Sequence, residues 1–339
     1  MACTLKDIAR ECNVSIYAVS RVLNDKPIYL VDEKRELIKN AAKRLHYTPN
    51  MLARSLKSDK SNTVGFILCY LSSPFHLNLV RYLEHQLSRD NYSMLISSSE
   101  LQLQDELDQI SQMRSRSCEM ILVSTRFNIT ENADRLDEYL EIISQDDKIF
   151  FIDSIIPSDK INYATTDNAS AARRAMSFFI KKGIKHFKFI RSPANLYVTR
   201  ERYNGFLEAC REFNIDFSDK DILSLSIKER GNLLESLKHA EKNTLFFFEG
   251  LGNDFSTFVE YCRELKMRIG EDYFISGFDT PFMPDPFYLL KEYKDIIVRP
   301  IPYLLQDKEK FVDAAMVYLN NHFKTQLMIE PEFVNFDKF

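Results

Sequence analysis

The chain has 339 residues, 45% of them hydrophobic and 28% charged, with a net charge of −4, the composition of a folded protein with a sizeable core. No apolar run approaches the ~18 residues of a membrane span. Met1-Ala2-Cys3-Thr4-Leu5-Lys6-Asp7 holds no export-signal core, so a cytoplasmic location without membrane contact is expected. The charge divides unevenly: residues 1–60 carry a balance of +5 and the remainder −9, a basic head on an acidic body.

In chain order, the first 47 residues read as three short helices. Thr4 is placed to cap a helix with Leu5, Ile8, Ala9 and Cys12 on one stripe, and Asn13 suits the left-handed turn after it. Ser15 caps a second helix with Ala18, Val19, Val22 and Leu23 facing inward. Asp32 is expected to cap a third carrying Leu37, Ile38, Ala41, Ala42 and Leu45. Thr48-Pro49-Asn50 stops it, and Met51–Lys57 can form one further short helical segment.

From Asn62 strands and helices alternate. Thr63–Tyr70, Tyr92–Ser97, Met120–Ser124 and Lys148–Asp153 read as strands, separated by helical stretches at Leu77–Asp90, Leu103–Arg116 and Asn132–Ser144. A second run follows: helix 168–182, strand Lys185–Arg191, helix 200–213, strand Ile222–Ser226, helix 230–241, strand Thr244–Glu249, helix 254–267 and strand Tyr273–Phe278. Two consecutive βα runs predict an α/β body of two parallel-sheet lobes, with ligands expected beyond the carboxyl ends of the strands, in the cleft between lobes.

Cys12 to Asn24 has the form of the turn and second helix of a helix-turn-helix, which enters the major groove with its first residues at the base edges. Ile16, Tyr17 and Arg21 lie opposite Val19 and Val22. Arg21 offers a fork suited to guanine O6 and N7. Catalytic and metal motifs are missing: there is no C-x-x-C, G-x-x-x-x-G-K-[ST], H-E-x-x-H or G-x-S-x-G. No enzyme activity, cofactor or metal is expected, and the six cysteines read as reduced thiols.

Thr4-Leu5-Lys6-Asp7-Ile8-Ala9, Val14-Ser15, Val19-Ser20-Arg21-Val22-Leu23-Asn24, Leu45-His46-Tyr47-Thr48-Pro49-Asn50 and Ala53-Arg54-Ser55-Leu56 resemble the head of the lactose/galactose-repressor (LacI/GalR) family. Thr166-Asp167-Asn168, Arg202-Tyr203-Asn204-Gly205-Phe206 and Ile275-Ser276-Gly277-Phe278-Asp279 resemble the sparser markers of its effector-binding body. Beyond residue 285 the likeness fades.

The resemblance implies an all-α helix-turn-helix head on a two-lobed, periplasmic-binding-protein-like body, a homodimer on palindromic operator DNA, and a small polar effector, a sugar or derivative, that sets DNA affinity. It implies a DNA-binding domain at 1–47, a hinge helix or linker at 48–61, and an effector-binding and dimerisation body at 62–339. Within that body the N-lobe is expected at about 62–161 and 296–323, and the C-lobe at about 162–295 and 324–339. Candidate DNA contacts are Thr4, Lys6, Ser15, Ile16, Tyr17, Ser20, Arg21, Asn24, Tyr47, Asn50, Ala53, Arg54 and Leu56, the last as a minor-groove wedge. Candidate effector contacts are Arg202, Asp279, Asn253 and Asp254, with Phe75 and His76 in the first strand-to-helix loop. Two other readings stand beside this one: a body that binds a protein partner, and a sugar-binding or enzymatic α/β body without regulatory role.

Overall fold

Thr4 opens the first helix by a reciprocal cap. Its hydroxyl accepts from the Asp7 amide while the Asp7 carboxylate accepts from the Thr4 amide at 3.0 Å. This starts α1 (Leu5–Cys12), and Asn13 at φ 49° ends it. Ser15 accepts from the Ala18 amide at 3.1 Å and starts α2 (Ile16–Leu23). In α3 (Asp32–Arg44) the expected cap fails: Val31 is the N-cap and makes no side-chain cap bond. Asp32 lies inside the first turn, where its carboxylate and that of Glu33 complement the helix dipole. Ile8, Cys12, Val19, Val22, Ile38 and Ala41 close the head core, whereas Leu37, expected inward, is 45% exposed.

The computed structural model describes residues 3–48, 61–71, 73–191, 195–225, 229–251, 255–280 and 293–339. The chain divides into two units, Met1–Ser61 and Asn62–Phe339. The helical segment expected at Met51–Lys57 lies outside the described residues.

The second unit contains β1 (Thr63–Leu68), α4 (Pro74–Arg89), β2 (Ser93–Ser98), α5 (Leu103–Ser115), β3 (Met120–Val123), α6 (Leu136–Ile143), β4 (Ile149–Ile152) and β5 (Tyr163–Thr166). It continues with α7 (Asn168–Lys181), β6 (His186–Arg191), α8 (Tyr197–Glu212), β7 (Ile222–Ser224), α9 (Arg230–Lys238), β8 (Thr244–Phe248), α10 (Phe255–Glu264) and β9 (Tyr273–Gly277). The last elements are β10 (Tyr303–Leu305), α11 (Lys308–Asn321), β11 (Gln326–Ile329) and β12 (Glu332–Val334).

A six-stranded parallel sheet runs β11-β5-β4-β3-β1-β2, and a four-stranded parallel sheet runs β7-β6-β8-β9. Antiparallel β10 and β12 join the second sheet through a Phe278–Leu304 bridge. Strand residues alternate between two buried faces, as parallel sheets require. In the first lobe Phe66, Leu122 and Phe150 meet α4 and α11, while Ile67, Ile121 and Phe151 meet α5 and α6.

The lobe boundaries differ from those expected. β5 and β11, strands that the sequence reading does not include, fall within the ranges expected for the C-lobe, yet Tyr163 pairs with Phe151 and Gln326 with Tyr163, which fills the open hydrogen-bonding edge of β4. β10, expected in the N-lobe, belongs with the second sheet through the Phe278–Leu304 bridge. The chain thus passes between lobes three times: after Thr166, after Leu305 and after Ile329.

Candidate functional site

In the head, the outer face of α2 carries Ile16, 47% exposed, and Tyr17, 64% exposed. Arg21 does not project freely: its Nε donates to the Pro27 carbonyl at 2.8 Å, Nη2 donates to the same oxygen, and the guanidinium lies 5.6 Å from the Tyr17 ring centroid. The polar atoms of Thr4 are engaged by Asp7, the Ser15 hydroxyl caps α2, and the Asn24 amide donates to the Ser20 carbonyl at 2.6 Å. Lys6 is exposed and Ser20 half-buried. Tyr47 packs against the head core, where burial pushes its phenol above the usual range. Asn50, Ala53, Arg54 and Leu56 lie outside the described residues.

In the body, one wall of the candidate cleft is built where the chain crosses between lobes. A Cβ at Gly205 would lie 2.0 Å from the Ala169 carbonyl oxygen, so glycine is what lets α8 approach α7. That approach brings Arg202 to Asn168: Nε donates to Asn168 Oδ1 at 2.8 Å, and Nη1 donates to the Glu249 carbonyl at 2.8 Å. The guanidinium lies 4.1 Å from the Phe278 ring centroid and 4.0 Å from Asp279 Oδ2. Asp279, at φ 67°, accepts from Gln306 Nε2 at 3.0 Å. Gln306 accepts from the Thr166 hydroxyl at 2.7 Å, and Asn168 Nδ2 donates to the Thr166 carbonyl at 2.9 Å. Arg202 and Asp279 are therefore joined directly and also through residues at two of the three crossings.

The facing wall comes from the carboxyl ends of β3 and β4 and from α4. Ser73 accepts from the His76 amide at 3.3 Å and starts α4 three residues earlier than expected, so Phe75 and His76 lie in its first turn rather than in a loop. His76 Nε2 lies 3.0 Å from Asp153 Oδ2 and 3.2 Å from Ser124 Oγ, all buried. His76 Nδ1, Asp153 Oδ1 and Ser154 Oγ, also buried, have no hydrogen-bond partner among the described residues. Asp153 and Ser124 share one imidazole nitrogen, whereas a Ser-His-Asp relay places them on opposite nitrogens, so these three groups do not form such a relay. Phe75 packs edge-on against Phe311 in the lobe core, which assigns it to packing.

Two further side chains lie beside the α4 wall. The Tyr70 ring lies edge-on to His76 with centroids 5.7 Å apart, and its phenol is pushed up by burial, then by Cys69 and Asp153, with Arg202 opposing. Burial pushes the Lys308 ammonium down while Asp279 opposes the shift; its Nζ lies 5.5 Å from the Phe75 ring centroid. The structure thus brings together Arg202, Asp279 and His76 of the expected effector residues, whereas Asn253 and Asp254 lie outside the described residues. Sequence reasoning missed Tyr70, Ser124, Asp153, Asn168, Gln306 and Lys308. For Tyr70, Ser124 and Asp153 the available signal was position, since each ends a strand read from the sequence, and Asn168 stands in a quoted family marker; Gln306 and Lys308 lie at a crossing that the sequence does not mark.

No helix among the described residues is long and apolar enough to cross a membrane. All six cysteines are free, and no cluster of His, Cys, Asp or Glu among the described residues is placed to hold a metal ion.

Residues 4–50 match the family of bacterial regulatory proteins, lacI family, and residues 61–239 match the periplasmic binding proteins and sugar binding domain of LacI family. The chain is 30% identical over 304 residues to the HTH-type transcriptional regulator RegA of Clostridium saccharobutylicum, covering 85% of this chain and 86% of that one. It is 28% identical to the ribose operon repressor of Bacillus subtilis (strain 168) over 69% of this chain and 68% of that one. A structure of the Lac repressor bound to ONPG in the repressed state superposes with a TM-score of 0.78 at 16% identity, covering 98% of both chains. The chain belongs to the LacI family and is a DNA-binding transcriptional regulator with a sugar-binding-type body.

Proposed function

We propose that this regulator is a repressor that binds a palindromic operator as a homodimer, and that a small sugar or sugar derivative held between the lobes sets its operator affinity. The observation that carries the reading is the pair of facing walls, with His76 Nδ1 and Asp153 Oδ1 buried and unpaired on one and the Arg202–Asp279 pair on the other. Each unpaired buried polar atom costs roughly 1–3 kcal/mol, which a ligand hydroxyl relieves. A guanidinium, an imidazole and two carboxylates together supply the donors and acceptors that a polyol needs. The name of the ribose operon repressor, a relative over two thirds of the chain, points the same way.

On DNA, Ile16 and Tyr17 lie at the groove-facing start of α2, and Arg21 exchanges the Pro27 carbonyl for a guanine edge. Residues 1–47 form the DNA-binding domain and 48–61 the hinge, with Leu56 as the wedge that opens a central base step. The test uses an operator selected by the full chain from random DNA and titrated by fluorescence anisotropy with pentoses and hexoses. One sugar should change operator affinity at least tenfold, and Asp153→Asn should lose that response. If no sugar moves the titration and none gives heat in calorimetry, the effector reading is wrong.

A further inference from the structure

β11 is the outermost strand of the first lobe's sheet, and among the described residues no strand pairs with its outer side. Sheet edges are usually guarded by charge or proline, yet Gln326–Ile329 holds neither, and three of its four residues are exposed. Leu327 is 38% exposed and Met328 51%, while Phe323, in the turn leading into the strand, is 69% exposed. The ladder fixes which backbone groups remain for a partner. The Tyr163 amide donates to the Thr325 carbonyl and the Asp167 amide to the Ile329 carbonyl, so Thr325, Leu327 and Ile329 turn their backbone toward β5. The amides and carbonyls of Gln326 and Met328 therefore point outward. We propose that β11 is an interface for a second copy of this chain, the two strands pairing antiparallel about a two-fold axis at Leu327.

The strand is its own complement. Lys324 and Glu330 stand equally far from Leu327 on either side, so the antiparallel pair sets Lys324 of each copy opposite Glu330 of the other. Both share the parity of Gln326 and Met328 and so occupy hydrogen-bonded positions on the same face. Gln326 exchanges backbone bonds with Met328 of the second copy, and Met328 with Gln326 of that copy, about four bonds in all. The Gln326 side chain does not obstruct this, because its Nε2 is drawn back to the Ser158 and Ile161 carbonyls at 3.0 and 2.9 Å. Leu327 lies on the face of the buried Ile329, and at the axis the two Leu327 side chains meet as a non-hydrogen-bonded pair, the closer kind, with Cα atoms ~4.5 Å apart. Arg174 engages Glu330 Oε1, and the second carboxylate oxygen accepts from Lys324. A slip by one residue would set outward backbone groups against inward ones, which fixes the register.

Strand direction decides what the contact can serve. All six strands of the first sheet are parallel, so the two-fold axis turns the second sheet end for end. The two β1 strands, where each chain enters its first lobe at Thr63, then start from opposite ends of one continuous sheet. Half-sites of a palindrome lie about 34–36 Å apart, one helical turn, and chains entering from opposite ends do not deliver two heads to such a pair. Pairing through β11 therefore joins one operator-bound dimer to another and ties two DNA sites together. The pairing itself stands apart from the operator reading above, whereas this consequence rests on it.

The test is sedimentation velocity of the full chain from about 1 to 100 μM, a range suited to a small interface. The parent should pass from dimer to tetramer. Lys324→Glu and Glu330→Lys each turn two opposite-charge pairs into like-charge pairs, and each alone should weaken that step about tenfold. Mixing the two variants should restore it, because position 324 of one then meets opposite charge at position 330 of the other at both ends. Restoration also shows that both variants are folded. Leu327→Lys sets two ammonium groups against each other at the axis and should abolish the tetramer, while binding to a single operator changes less than about twofold. The pairing is overturned by a parent that stays monomeric or stops at a dimer that Leu327→Lys leaves intact. Single variants that associate as the parent does, or a mixture no better than either variant alone, overturn it as well. If the largest species is a dimer and Leu327→Lys makes it monomeric, the pairing stands and the homodimer on a palindrome falls.

Discussion

Replacing Arg202 by alanine removes two bonds from a charged donor, one to Asn168 Oδ1 and one to the Glu249 carbonyl, each at 2.8 Å. Such bonds contribute roughly 1.5–3 kcal/mol each, and a desolvated cation over a ring adds about 2 kcal/mol. The side chain is only 6% exposed, so solvent screening does little to reduce these figures. A neighbouring cavity, lined in part by Tyr203 and Glu249, admits water to the vacated space, which offsets part of the loss and leaves about 3–5 kcal/mol. Arg202→Lys keeps the charge, but its single ammonium cannot span both acceptors, so it should recover less than half. Urea denaturation followed by circular dichroism, with the two variants and the parent at one pH, measures the difference. A parent and Arg202→Ala within ~1 kcal/mol of each other would refute the claim that this arginine holds the second lobe's cleft wall together.

Two further outcomes follow from other parts of the molecule. Burial pushes the Asp221 carboxyl up, but the bonds from Lys188 at 2.7 Å and from Ser218 outweigh it and hold the pKa below 3.8. The stability contributed by this pair is therefore fully present above the unfolded value and lost as pH falls through the folded one. Lys188→Met should cost roughly 1–3 kcal/mol in urea unfolding at pH 7, with the gap to the parent shrinking below pH 4; a gap that is constant or widens toward acid excludes the pair as its source. On DNA, Arg21→Ala should weaken operator binding by roughly 1–3 kcal/mol and relax preference at one symmetric base pair, while Lys6→Ala weakens all sequences alike. Equal losses on operator and random DNA for Arg21→Ala would show that it reads no base.

The head was legible because its determinants are local. The Thr4 and Ser15 caps and the spacing of Ile8, Cys12, Val19 and Val22 all act within one or two turns. Asp32 misled because an aspartate stabilises a helix equally well from inside its first turn. In the body, alternation gave the order of strands and helices up to residue 278 apart from β5, but not the elements after it or the lobe boundaries. β5 and β11 are short, and what places them is the unfilled edge of β4, a partner remote in sequence. The cleft shows the same division. Arg202 and Asp279 stand in recognisable motifs, whereas Gln306 and Lys308 acquire their positions only from the second crossing, in the region where the family likeness fades. Asp153 ends a strand that was read from the sequence, yet its turn into positive φ, which aims it at His76, leaves no signal in the residue pattern.

The three crossings also set a timetable for synthesis. The first lobe's sheet needs β11, which leaves the ribosome only after β6 to β10 of the second lobe have been translated. At bacterial elongation rates of ~5–20 residues per second, its edge strand β5 waits on the order of ten to thirty seconds for that partner. The head, by contrast, has its full core within its first 47 residues and can fold as it emerges. During that interval a nascent chain carries a finished DNA reader on an unfinished sensor. A chain aborted before Gln326 would keep the reader and lack an edge of the sheet that the sensor is built on. Under the function proposed above, fragments of that kind keep DNA binding without its control by an effector, so rapid clearance of truncated chains matters more for this architecture than for one whose lobes are each a single stretch of sequence.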